Sequence, residues 1–447
     1  MSIPDCEVEI GIETYATKTK GIGGKIRVFP KDFVVKETLI NGSVACDNVQ
    51  LDRSGEGEHL VCVLKKEKWD TLLAIREIAR NLKVGLRRIR FAGIKDKDAL
   101  TYQFISIWNI SPTEVRRLRI NGIELIPFAF SRKPISINEL LGNYFHITIR
   151  DIENEAIDLV RYTSYEMMEL GGAPNFFGHQ RFGIRRPVTH LVGRCIIRGE
   201  FEEAVKTYLA YSKFEAPRVR YARRALSEDW DFERAIQNFP KNLIFERTIL
   251  RKLSVRQDFV GALRGVPNRL VRLFVQAYQS YLFNRILSRR IRLGIPINEA
   301  QIGDYVVKTN ENSLPSDEIT TTNESNIMHV NSELKSGKAS LVIPLMGFNT
   351  VFSGGVQGEI ERKVLEEEKI ELKDFLIKEM PELSQVGGFR TAVAPIGHLN
   401  FSEIFKDKQD AFSPGALLLN FDLLKGSYAT IVLREFMKPS DPILSGF

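Results

Sequence analysis

The amino-acid sequence predicts an α+β protein built from more than one core. Segments with the period of a strand are interspersed with segments of helical period, and no regular βα repeat links them. The 447 residues also exceed what one hydrophobic core usually serves, which predicts two domains.

Taken in order, Trp69 to Leu82 reads as a helix capped by Asp70, with Leu72, Ile75, Ala79 and Leu82 on one face. Phe91 begins an apolar strand that enters the turn Lys95-Asp96-Lys97-Asp98. A second strand follows, in which Tyr102, Phe104, Ser106 and Trp108 alternate with Gln103, Ile105 and Ile107. Tyr144 to Asp151 is a strand by the same alternation. Ala156 to Leu170 is a helix striped by Val160, Thr163, Met167 and Leu170 and ended by Gly171-Gly172. Val271 to Leu293 reads as one long helix whose far end is made positive by Arg285, Arg289, Arg290 and Arg292. The polar stretch Asn310 to Ser340 is expected to be a loop, and Glu359 to Lys378 a charged surface helix. Strand character returns at Leu417 to Phe421 and at Tyr428 to Leu433.

With 43% hydrophobic and 27% charged residues the chain is an ordinary globular one, and its net charge of +7 suits a polyanionic partner. Cys6, Cys46, Cys62 and Cys195 lie far apart, as do the six His. This spacing offers neither a disulfide framework nor a zinc site. The N-terminus lacks a signal-peptide core, and no apolar run has the length of a membrane span. A cytoplasmic protein with no metal, cofactor or membrane partner is the expectation; a monomer is compatible with it.

A short charged turn between apolar strands is ordinarily solvated, but it is also where a fold can hold one carboxylate rigidly beside a cleft. A second segment favours the latter. Ala173 to Gly183 packs three Phe among Asn175, Gln180 and Arg181, a composition suited to stacking on a flat base while hydrogen-bonding its edge.

Together, Gly93-Ile94-Lys95-Asp96 continuing through Ala99, Thr101 and Gln103, and Asn175-Phe176-Phe177-Gly178 followed by Gln180-Arg181-Phe182-Gly183, resemble the signature motifs of the TruD family of pseudouridine synthases. Phe29 to Glu37, Gly55 to His59 and Gly426 to Glu435 resemble three further family motifs in the same order. The glycine-rich stretch Gly21 to Lys25 suggests an archaeal type of member. The resemblance implies a catalytic domain of the pseudouridine synthase fold, with a mixed or antiparallel sheet, formed by residues 1–194 and 396–447. An inserted α+β domain peculiar to the family would occupy 195–395.

It also implies an activity: isomerisation of uridine, by default uridine 13 of tRNA, to pseudouridine. That reaction breaks the ribose bond to N1 and remakes it to C5, which calls for an ionised carboxylate, a pocket that grips the detached ring, and exclusion of water. The nucleotide must be flipped out to be reached. By matching position, Asp96 is the catalytic carboxylate, with Asp98 left as turn chemistry. Phe177 is the aromatic that stacks on the base, and Asn175 hydrogen-bonds near the carboxylate or the base. Lys95, Gln180 and Arg181 support the site, and Tyr428, in a closing strand, lines the pocket. Arg27 stands where bacterial members carry a Lys that partners the carboxylate; Lys25 would share its face on a strand and is the substitute. Arg87, Arg88 and Arg90, and Arg185 and Arg186, flank the two motifs as candidate phosphate contacts, with Arg220, Arg223 and Arg224 further off.

Three rival readings remain at this point. One is an RNA-binding protein of the same fold without catalysis, against which Asp96 stands. Another is a nuclease holding magnesium with Asp96, Asp98 and Glu56 or Glu58. The last is a methyltransferase, for which no Gly-rich cofactor loop is evident.

Overall fold

The computed structural model describes residues 2–52, 55–184, 186–213, 215–406 and 414–447. Six strands come first: β1 (Phe33–Leu39), β2 (His59–Glu67), β3 (Ile89–Phe91), β4 (Leu100–Trp108), β5 (Ile123–Ser131) and β6 (Leu140–Arg150). The others are β7 (Ala173–Pro174), β8 (Tyr305–Thr309), β9 (Pro315–Thr321), β10 (Ala339–Leu345), β11 (Gly388–Thr391), β12 (Val393–Ala394), β13 (Ile396–Phe401) and β14 (Ala416–Leu424). An eight-stranded sheet runs β13-β14-β6-β1-β4-β2-β5, with β3 also on β4. Its β1–β4 pair is parallel and the other described pairs are antiparallel, so the sheet is mixed, as expected.

Register explains where the site can form. Val35 pairs with Thr101, and Thr101 with Lys66, so Phe33, Val35, Lys66, Thr101, Gln103 and Ile105 share one face. Two apolar clusters sit on that face. The cluster around Phe33, Ile147, Leu417 and Leu419 lies under the helices Ile157–Glu169 and Ala429–Met437. The cluster around Leu60, Cys62, Ile105 and Ile107 lies under the helix Thr71–Asn81. Between them runs a buried polar seam of Glu37, Lys66, Lys95, Thr101 and Gln103.

A separate four-stranded sheet, β11-β10-β8-β9, packs with the helices between 189 and 367 around the long helix Asn268–Arg292. That core begins at Phe176 and runs to Ala392, taking in Ile10, Ile12 and Ile431 from the chain ends. β7 and β12 pair as the chain enters and leaves it, Ala173 opposite Ala394. Gly172, at φ +146, permits this closure, because a Cβ there would sit 2.1 Å from the Ala394 carbonyl oxygen.

Several expectations are corrected. In Thr71–Asn81 the buried face is Thr71, Ala74, Ile75, Ile78 and Ala79, so Leu72 is exposed, although Asp70 caps the helix through Leu72 and Leu73 N–H groups as expected. Asn310 to Ser340 is not a loop: it contains β9, the helix Ile327–Lys335 and the start of β10. Its β9 is polar because every residue of this edge strand is exposed. The stretch expected as a strand from Tyr428 to Leu433 is helical from Ala429 on; all nine residues of Ala429–Met437 are buried, which erases helical periodicity. The positive end of the long helix is neutralised, Arg285 and Arg289 by Glu367, Arg290 by Asp304 and Arg292 by Glu13. No described helix is long and apolar enough to cross a membrane.

Candidate active site

The loop from β3 to β4 lies over the polar seam, and its backbone is tied from below. The Lys95 N–H donates to Thr71 Oγ1 at 3.0 Å, and Gln103 Nε2 donates to the Gly93 carbonyl at 3.2 Å. Lys66 Nζ donates to the Asp96 carbonyl at 2.7 Å and to the Trp69 carbonyl at 2.9 Å. The Lys95 side chain turns inward and pairs with Glu37 at 2.7 Å, both nearly inaccessible. Burial pushes the Glu37 carboxyl above the usual carboxylate range, against the opposing pull of Lys95. These ties leave the half-exposed Asp96 carboxylate facing a cavity, with Lys97 and Asp98 in solvent.

Arg27 meets Asp96 there, Nη2 to Oδ2 at 3.2 Å. The same guanidinium donates to the Gly446 carbonyl at 2.7 Å and lies 4.0 Å from the centre of the Phe33 ring. Three contacts on one planar group fix its orientation more tightly than an ammonium could be fixed. Lys25 is not the partner: it pairs with Asp151 at 3.0 Å. The two do not share a face because Arg27 has φ +58, a left-handed conformation that breaks strand alternation between them.

The cavity has a volume of about 230 Å³, and Arg27, Phe33, Asp96, Asn143, Gln180 and Tyr428 are among the residues lining it. Gln180 Oε1 accepts from Thr430 Oγ1 at 3.2 Å, and its NH₂ group has no partner among the described residues. Tyr428 precedes the C-terminal helix, and burial raises its hydroxyl pKa. Asn143 on β6 and Phe33 on β1 were not singled out from the sequence as site residues.

Phe177 does not line this cavity. Its ring meets Tyr428 edge-on at 6.2 Å and Phe283 at 5.6 Å, and the Arg390 guanidinium lies 4.0 Å from its centre. Asn284 of the long helix fixes it by accepting from the Phe177 N–H at 2.8 Å and donating to its carbonyl at 3.0 Å. Asn175 is likewise committed elsewhere: its Oδ1 accepts from Arg390 at 2.6 Å and its Nδ2 donates to Thr391 Oγ1 at 2.7 Å. It therefore serves the junction with β11 and not the carboxylate. Arg181 is half-buried, donates to Ser280 Oγ at 3.0 Å and lies 5.8 Å from the Phe177 ring. Burial lowers its pKa.

Of the candidate phosphate contacts, Arg87 and Arg90 are exposed beside β3. Arg88 is folded onto its own hairpin, donating through Nη2 to the Trp108 carbonyl at 2.6 Å. Arg185 lies outside the described residues. Arg186 is structural: it reaches the Tyr211 carbonyl at 3.1 Å and Glu246 at 3.5 Å. Arg223 is buried between Glu215 and Glu246, while Arg224 is exposed and Arg220, also exposed, donates to the Glu215 carbonyl at 2.9 Å. The carboxylates of the nuclease reading do not converge, since Glu56 pairs with Arg132 and Glu58 accepts from Trp108 Nε1 at 2.8 Å.

Sequence reasoning missed Lys66, Thr71, Asn284 and Arg390. Lys66 carries a faint signal, a Lys whose strand parity puts it on the same face as Leu60, Cys62 and Leu64. Arg390 carries none, because the Asn175 groups it serves lie more than two hundred residues away.

The family model described as tRNA pseudouridine synthase D (TruD) matches residues 9–436. A curated protein named probable tRNA pseudouridine synthase D, from Methanosarcina mazei, is 41% identical over 446 residues, covering 98% of each chain. One of the same name from Thermococcus sibiricus is 36% identical, covering 95% of this chain and 97% of its own. A crystal structure titled as the putative tRNA pseudouridine synthase D (TruD) from Methanosarcina mazei superimposes with a TM-score of 0.84 at 39% identity. It covers 98% of this chain and 99% of its own.

Proposed function

Since the chain belongs to the TruD family of tRNA pseudouridine synthases, we propose that it isomerises a uridine of tRNA to pseudouridine, with Asp96 as its catalytic carboxylate and uridine 13 as its target. The observation that carries this reading is the Asp96 carboxylate, paired with Arg27 at 3.2 Å, on the wall of a cavity with room for a pyrimidine ring.

The residues divide the work. Arg27 aims Asp96, because its own guanidinium is fixed by the Gly446 carbonyl and the Phe33 ring. The carboxylate acts on the flipped-out nucleotide while the C1′–N1 bond breaks. The C1′–C5 bond then forms, and as C5 gives up its proton N1 takes one up, so the product is an isomer of the substrate. The free NH₂ of Gln180 suits a uracil carbonyl, since that group accepts hydrogen bonds. Tyr428 supplies the ring nearest the base, and Phe177 supports it from behind. The exposed Arg87 and Arg90 take phosphates of the tRNA backbone. We read the unit around the long helix, 195–395, as the family's insertion, with its hydrophobic core reaching back to Phe176.

The test uses tRNA transcripts with the target uridine intact or changed to cytidine, and maps pseudouridine by carbodiimide derivatisation. The expected product is one pseudouridine at position 13, absent with Asp96→Asn while tRNA binding persists. Full turnover by Asp96→Asn, or modification at another position alone, overturns the corresponding part of the reading.

A further inference from the structure

Lys66 is fully buried on β2, beneath the loop that carries Asp96. Its ammonium has three N–H bonds, and three carbonyls surround it: Asp96 at 2.7 Å, Trp69 at 2.9 Å and Lys95 at 3.4 Å. Trp69 precedes the helix Thr71–Asn81, whereas Lys95 and Asp96 form the tip of the loop. One charge thus joins the start of a helix to the backbone of the proposed catalytic residue.

We propose that Lys66 is the positioning residue of the Asp96 loop, and that turnover requires its amine to be charged. This rests on the reading of Asp96 as the catalytic carboxylate. A neutral amine has two N–H bonds and a lone pair, so one of the three carbonyls would lose its donor and face the lone pair instead. Two of the three carbonyls, those of Lys95 and Asp96, belong to the loop, and the Asp96 carbonyl makes the shortest contact, so a neutral amine weakens the tie on the loop. Thr71 and Gln103 hold Lys95 and Gly93, but Lys66 is what holds the Asp96 backbone from below. A shift of about 1 Å in a catalytic group costs on the order of 100-fold in rate.

The groups facing Lys66 give the pH at which this fails. Burial lowers its pKa to about 8; Asp96 and Asp70 oppose the fall, and Lys95, itself paired with Glu37, adds to it. The unfolded chain keeps this amine protonated to higher pH, so through the alkaline window Lys66 makes the folded state relatively more stable as pH rises. Loss of turnover there is therefore loss of positioning and not unfolding driven by this group.

The experiment measures single-turnover pseudouridine formation with enzyme in excess, tRNA affinity, and the melting temperature, from about pH 6.5 to about pH 9.5. The wild-type protein should lose rate on the alkaline side with a midpoint near 8, while affinity and melting temperature hold. Lys66→Met should be on the order of 100-fold slower at neutral pH, bind tRNA within about threefold of wild type, and show no such alkaline fall. A folded Lys66→Met within about threefold of wild-type turnover overturns the proposal, as does one that loses affinity and rate by the same factor. Should Lys66→Met not fold, the wild-type profile decides: a rate flat to the alkaline limit overturns the proposal. Asp96→Asn, assayed alongside, separates the two readings. If it turns over normally, the catalytic assignment falls whatever the Lys66 variant does.

Discussion

The Arg390 guanidinium lies 4.0 Å from the centre of the Phe177 ring and donates to both the Asn175 carbonyl, at 2.8 Å, and its side-chain oxygen, at 2.6 Å. A third contact, at 3.0 Å, reaches the Gly426 carbonyl just before Tyr428. One residue on β11 thus clamps the Phe-rich segment to the strand that brings in Tyr428. Burial lowers its pKa to about 10, still charged at neutral pH. Arg390→Met should cut turnover by about 10- to 100-fold and lower the melting temperature, since the stacked cation and three carbonyl contacts go together. Arg390→Lys should rescue little, because an ammonium cannot cover a ring and serve a fork of acceptors. Turnover near wild type in Arg390→Lys would show that charge alone suffices.

Arg27 gives a graded prediction. Its guanidinium serves Asp96, the Gly446 carbonyl and the Phe33 face together. Arg27→Lys keeps a cation beside the carboxylate but loses the fork, so a drop of about tenfold is expected. Arg27→Ala removes the cation and should cost about 100-fold or more, with tRNA affinity little changed. Single-turnover rates on one transcript rank the three proteins, and Arg27→Ala as fast as wild type would remove Arg27 from the site.

How much of this was legible in the sequence depends on how local the determinants are. The β4 strand and the Asp70-capped helix could be read because their causes lie within a few residues. Tyr428 to Leu433 could not: its β-branched residues favour a strand locally, and complete burial leaves no polar face to mark a helix. At the site, Asp96 and Arg27 were found through motifs, but Lys66 and Arg390 act on backbone carbonyls. Carbonyls are common to every residue, so a sequence holds no complementary partner to look for.

The N-terminal segment yields a stability prediction. Glu7 and Arg434 pair at 2.8 Å with both side chains fully buried, and Glu435 joins them at 2.9 Å. Burial alone would raise the Glu7 pKa, but Arg434 and His179 hold it below the usual range. Glu435 also accepts from the Thr17 N–H at 2.9 Å, so the chain's start is stitched to its end. Glu7→Ala leaves part of the Arg434 charge uncompensated and should destabilise by about 3–5 kcal/mol. Denaturant unfolding measures it, and a loss under about 1 kcal/mol would mean that Glu435 alone satisfies the guanidinium.

His190 makes the acid side of the stability curve testable. It is buried with its ring stacked on Tyr281 at 5.2 Å and edge-on to Phe182 at 5.3 Å. Burial lowers its pKa from 6.5 to about 3. The folded protein therefore keeps it neutral while the unfolded chain takes up a proton below pH 6.5, so the unfolded state binds more protons between those limits. The contribution is fully present above the unfolded value and is lost as pH falls toward the folded one, reaching about 2 kcal/mol at about pH 5. His190→Phe keeps a planar ring between the same neighbours and cannot titrate. Its unfolding free energy should fall less than that of the wild type between about pH 7 and about pH 5, by this 2 kcal/mol. Carboxylates titrating in the same window affect both proteins alike and cancel in the difference, so parallel curves would show that His190 is protonated in the folded state.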